Sequence, residues 1–151
     1  MMKSRIAVLG ILATAAIVAA PLPASAIELQ PGQWQEIETG TENGKPVPAE
    51  TTSSCMTPEE AKDPLKGLSP EKEMKGQCKT YDLKQSPAGL SMRLQCGDPK
   101  QFSMDITASF TFVSARAYTG TVKSSVTMMG KVTTTDKKIE AKWLAAQCKK
   151  K

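Results

Sequence analysis

Cys55, Cys78, Cys96 and Cys148 are the residues of this chain whose type and spacing bear most directly on chemistry. A zinc site usually draws its thiolates from short repeats such as C-x-x-C, and no two of these cysteines lie close together. An even set of this kind reads as two disulfides, with three connectivities open. Of the three we expect Cys55–Cys78 and Cys96–Cys148. The first bridge would tie down the one helical stretch, which has no strand ladder of its own. The second would fasten the last strand to the middle of a sheet.

Other chemistry is thinly represented. The chain has no histidine, which removes Ser-His-Asp, Cys-His and histidine-metal sites together. Ser69-Pro70-Glu71-Lys72 fits the S-x-x-K pattern, but its companions S-D-N and K-T-G are absent, and Ser69 reads as a helix cap. The carboxylates Glu36/Glu38 and Asp136/Glu140 have acid–base potential as pairs. At strand spacing they are expected to point to solvent. Of the methionines beyond the N-terminal segment (Met56, Met74, Met92, Met104, Met128 and Met129), none forms M-x-x-M, so a thioether copper site is not indicated. Met92, Met104 and Met128 fall on inward rows, where methionine fills irregular gaps or lines a cavity for an apolar ligand. We therefore expect no catalytic residue, no cofactor, no metal site and no enzymatic turnover.

The N-terminus explains how disulfides would form. Lys3 and Arg5 precede an uncharged apolar run, Ile6 to Ala20, and Ala24-Ser25-Ala26 has the small-x-small form of a signal peptidase site. Residues 1–26 are expected to be a cleaved signal peptide, and residues 27–151 a single disulfide-stapled β domain in the periplasm or secreted. The apolar run is shorter than a membrane span and ends at Pro21 and Pro23. No cysteine follows it for lipid attachment, so no transmembrane anchor is expected after cleavage. Export places the cysteines where disulfides persist. The whole chain carries +5 from 20 basic and 15 acidic residues. Loss of Lys3 and Arg5 leaves an excess of about three, too small to indicate nucleic acid. The late lysines Lys131, Lys137, Lys138, Lys142 and Lys149 to Lys151 read first as a solvated edge and tail. A sharper reading makes them a patch for anionic lipid, peptidoglycan or an acidic partner.

The elements that would position these residues are mostly strands. Trp34 to Thr41 is the first, Asn43-Gly44 a hairpin turn, and Glu50 to Met56 the return. Thr57-Pro58-Glu59-Glu60 is a capping box with proline at the first helical position, opening a short helix that Pro64 stops. Ser69-Pro70-Glu71 repeats that chemistry for a second helical turn ending at Gly76. From Cys78 the pattern has period two. Cys78 to Gln85 and Leu90 to Cys96 flank a turn at Ser86 to Gly89. In the next strand Phe102, Met104, Ile106, Ala108, Phe110 and Phe112 point inward while Ser103 to Thr111 alternate outward, as in an antiparallel strand with one wet face. Tyr118, Gly120, Val122, Ser124, Val126 and Met128 form the next inward row. Gly130 turns the chain, and two strands, Val132 to Thr135 and Ile139 to Leu144, are expected on either side of Asp136-Lys137. The fold class is all-β: an antiparallel meander curling into a half-barrel or barrel, with a short helical insert.

Pro31-Gly32-Gln33-Trp34, Cys55-Met56-Thr57-Pro58-Glu59, Cys78-Lys79, Cys96, Tyr118-Thr119-Gly120-Thr121 and the late Cys148 occur in an order that resembles the secreted bacterial family of domain of unknown function 3617. The resemblance spans nearly all the mature chain. It implies export from a Gram-negative bacterium and a disulfide-stapled β fold, and it implies no activity. Members end Gly-Asp-Cys where this chain has Ala146-Gln147-Cys148 followed by three lysines. The expected role is a periplasmic, non-enzymatic β protein that binds a small apolar or lipid-like ligand or serves as an envelope accessory. The alternative is a protein-binding module such as an inhibitor of an envelope hydrolase.

Overall fold

The period-two pattern builds one sheet. The computed structural model describes residues 28–68, 78–98 and 102–148, without the side chain of Asp98. Its strands are β1 (Gly32–Glu42), β2 (Lys45–Met56), β3 (Cys78–Ser86), β4 (Gly89–Asp98), β5 (Phe102–Ser114), β6 (Ala117–Met128) and β7 (Lys131–Ala145), with helices α1 (Pro58–Lys62) and α2 (Pro64–Leu68) between β2 and β3. The strands are antiparallel in the order β2-β1-β7-β6-β5-β4-β3. Five consecutive strands thus form the meander, and the β1–β2 hairpin docks on its last member. The sheet stays an open half-barrel with β2 and β3 as its free edges. The expected signal segment 1–26, the helical start at Ser69-Pro70-Glu71, Ser69 and Lys72, Met74 and the tail Lys149 to Lys151 lie outside the described residues.

Register places the apolar rows on one face. Leu90 pairs with Phe110, Phe110 with Gly120 and Gly120 with Ile139; one rung away, Phe112 pairs with Tyr118 and Tyr118 with Ala141. These residues are buried, together with Leu29, Trp34, Met56, Met92, Leu94, Ile106 and Ala108. Tyr118 joins the two sides of the core. Its ring lies 5.3 Å from that of Trp34 and meets Phe110 edge-on at 6.0 Å. Gly120 is required at this point, because a Cβ there would fall 2.6 Å from the Phe110 ring.

The helices cover this face. The Thr57 hydroxyl accepts from the Glu60 amide while the Glu60 carboxylate accepts from the Thr57 amide, which closes the capping box. α1 stops at Lys62, as expected from Pro64. That proline then opens α2, since a first-turn position needs no N–H. Ala61 is buried, and Leu65 and Leu68 pack against the sheet's apolar side chains. We call this region, around Trp34, Phe112 and Tyr118, the packed end. The opposite end carries the β1–β2 and β6–β7 turns and is the hairpin end.

Four local expectations are corrected. The return strand β2 begins directly after the turn, at Lys45. It accommodates Pro46 and Pro48 because an edge strand has one side without ladder bonds. β7 is one continuous strand: Asp136 pairs with Thr41 and Lys123, and Lys137 with Gly40 and Val122, so tertiary pairing carries the ladder through a dipeptide that resembles a turn. Met128 keeps the inward parity but is 58% exposed, because β6 runs past the layer that covers its earlier residues.

The fourth correction is the disulfide pairing. The bridges are Cys55–Cys148 and Cys78–Cys96, not Cys55–Cys78 and Cys96–Cys148. The helical insert does not return to its starting edge. It leaves β2 and enters β3, the opposite edge, which separates Cys55 from Cys78 by the width of the sheet. Cys78 instead lies directly across from Cys96 in the β3–β4 ladder. Cys55 and the end of β7 both flank Gln33 of β1, so the segment after Ala145 reaches Cys55 past one intervening strand.

Candidate functional site

Polar side chains gather in two places, one on each face. On the inward face the apolar rungs end at β1 in carboxylates: Ala141 pairs with Glu36 and Ile139 with Glu38. Glu36 accepts the Tyr118 hydroxyl at 2.7 Å and lies 3.4 Å from the Ser54 hydroxyl. Glu38 forms an ion pair with Lys137. Burial, and next the Glu36 charge, raise the Tyr118 phenol well above its usual range, so it stays a neutral donor. Glu36 and Glu38 were expected to face water, and this is a further correction. They share the parity of Trp34, a signal readable from the sequence, and each is engaged by a structural partner.

Asp136 and Glu140 lie on the outward row of β7. Four residues of strand separate them by about 14 Å, too far for a shared acid–base site. Asp136 forms an ion pair with Lys123 at 3.1 Å, and Glu140 is exposed. All four cysteines are consumed in bridges, with no free thiol among the described residues. No cluster of three or more cysteine or carboxylate ligands occurs among the described residues.

The outward face holds the more open arrangement. Adjacent strands place Arg93 and Gln95 of β4 beside Asp105 of β5, because Gln95 pairs directly with Asp105. Asp105 accepts from Arg93 Nη2 at 2.6 Å, from Arg93 Nε at 3.1 Å and from Gln95 Nε2 at 3.1 Å. The Arg93 hydrogen bond holds this carboxyl below the usual carboxylate range. The trio borders a groove of about 420 Å³ whose walls include Lys79, Tyr81, Ser103 and Thr127. A second groove of about 610 Å³ continues over β6 and β7 past Lys123, Thr134 and Asp136, and the two share Asp105 and Ser125. The surface offers hydroxyls, an amide and one exposed phenol, with its central charges already paired. Sequence reading identified this face as wet but not the Arg93–Asp105–Gln95 trio, whose members meet only through register.

No helix among the described residues is long and apolar enough to cross a membrane. No curated protein and no solved structure matches the chain. The model of a family described as "Protein of unknown function (DUF3617)" matches residues 29–148, which takes in every described strand and all four cysteines. The chain belongs to the DUF3617 family.

Proposed function

We propose that this protein is an exported, non-enzymatic accessory or binding module of the cell envelope, and that it binds through its outward face. The observation that carries this reading is the contrast between a filled interior and an open exterior. At the packed end Trp34 and Leu94 are 0% exposed and Tyr118 1%, so the apolar side chains there are spent on the chain's own core. The grooves around Asp105 and Ser125 are open and rich in donors and acceptors. This favours a polar ligand or a protein surface over an apolar molecule held inside the sheet. Export is supported by the signal-like N-terminus and by two disulfides, which suit the periplasm. The non-catalytic reading is supported by the carboxylates, each of which is either structurally paired or isolated on a wet face.

A photo-crosslinking amino acid at Ser125 tests the reading when the protein is expressed with its native export signal. We expect periplasmic recovery and discrete envelope adducts from Ser125, and none from the same probe at inward Val122. Adducts from Val122 alone would return the binding site to the interior. Substrate turnover by the purified protein that is lost in Asp105→Asn would overturn the non-enzymatic reading.

A further inference from the structure

We propose that the tip of the β6–β7 hairpin, Met128-Met129-Gly130-Lys131-Val132, is an insertion element that docks the protein on an anionic phospholipid bilayer. The first observation is a residue that folding does not explain. Met129 and Gly130 have φ of 50° and 77°, nearly the values of Asn43 and Gly44 in the β1–β2 turn, 49° and 75°. Two left-handed residues are what a tight two-residue hairpin needs, and asparagine–glycine is the sequence that supplies them best. Asn43 is repaid locally, because its carbonyl oxygen accepts from the Thr134 amide at 2.9 Å and its own amide donates to Thr134 at 2.8 Å. A methionine gains nothing comparable. Its Cβ makes the left-handed conformation costly, and Met129 is 93% exposed.

The surroundings point to lipid. Met128 and Val132 flank the turn at 58% and 52% exposure, so three apolar side chains face outward at one point. This point projects. The neighbouring β1–β2 turn stops beside Thr134, whereas β7 continues three more residues to Lys131, about 10 Å further by strand rise. From Thr127 to Thr135 the one ionisable residue is Lys131, and it is exposed at the base of the tip. A projecting apolar point above a lone cation matches the boundary between acyl chains and anionic headgroups. The tip is two strands wide, far short of the roughly 800 Å² per partner that a stable protein interface uses. Methionine's flexible thioether also suits a fluid environment. Docked this way, the sheet stands on its hairpin end and leaves the outward grooves open.

The test is co-sedimentation of the disulfide-intact mature chain with vesicles of pure phosphatidylcholine and of phosphatidylcholine with phosphatidylglycerol. Binding should favour the anionic vesicles. Met129→Asp should lower the partition coefficient about tenfold, the scale of withdrawing one large apolar side chain. Met129→Asn separates fold from function, since it improves the turn yet should still weaken binding. Lys131→Glu should weaken binding to the anionic vesicles and leave the weak binding to phosphatidylcholine unchanged. No preference for anionic vesicles, or equal partition of wild type and Met129→Asp, overturns the proposal. So does binding that disappears only when Lys149 to Lys151 are deleted. Self-association without vesicle binding, abolished by Met129→Asp, would assign the tip to a second copy of the chain instead.

Discussion

The packed end and the hairpin end of the sheet share strands and alternation, yet they treat the same row of side chains differently. Along β6 the inward row runs from Tyr118, 1% exposed, to Met128, 58% exposed. Along β5 it runs from buried Phe112 to half-buried Phe102. Nothing in the period-two pattern distinguishes the two ends. The difference is the covering layer: Leu29, Met56 and Ala61 join the strand residues in the core, with Leu65 and Leu68 packed against them. Parity chooses a face, and burial requires a second layer over that face. Each end also has its own disulfide. Cys55–Cys148 closes the packed end, across a separation of 93 residues. Cys78–Cys96 joins two paired strands toward the hairpin end, across 18.

The largest effect should come from the first bridge. Replacing Cys55 and Cys148 together with serine should cost about 4–5 kcal/mol on loop-entropy grounds, against about 3 kcal/mol for Cys78 and Cys96. Urea unfolding of the two double variants checks this, and equal losses would break the asymmetry between the ends. Phe110→Ala comes next, at about 3–5 kcal/mol, because it empties the space beside Gly120 and Tyr118. Met128→Ala, of the same inward parity, should stay within about 0.5 kcal/mol. Comparable denaturation midpoints for these two would mean that coverage does not separate the ends.

Tyr118→Phe should cost about 2 kcal/mol, the scale of a hydrogen bond to a charged acceptor. It also carries a pH signature. The folded chain holds the phenolic proton more tightly than the unfolded chain, whose tyrosines ionise near pH 10. The resulting stabilisation is complete below that pH and declines as pH rises beyond it. Alkaline denaturation of Tyr118→Phe should therefore show a shallower fall than wild type. An identical alkaline limb would remove the Tyr118–Glu36 bond from the account.

The smallest effect has the opposite sign. Met129→Asn should stabilise the chain by up to about 1 kcal/mol, since asparagine tolerates the left-handed turn better than methionine does. Thermal unfolding measures it. A loss of stability would show that Met129 serves the fold after all, and would bring the two hairpin turns closer together than their exposures suggest.

Several features were legible because they are local. Asn43-Gly44, the Thr57–Glu60 box and the inward row Phe102 to Phe112 depend on residues a few positions apart, and each formed as its sequence indicates. The orientation of Glu36 and Glu38 was legible too, from the parity of Trp34, but it conflicts with the usual rule that carboxylates face water. Lys137 and Tyr118 resolve the conflict. They arrive from β7 and β6, about a hundred and eighty residues further along the chain respectively.

Sequence alone therefore determined the strand periodicity, the turns, the helix start and the fact that four cysteines make two bridges. Tertiary structure alone decided which cysteines meet, where β7 continues and which end of each inward row is covered. All three depend on the insert crossing from β2 to β3 and on β1 docking against β7. Those are contacts between distant segments, and short-range side-chain preferences carry no information about which distant strand becomes a neighbour.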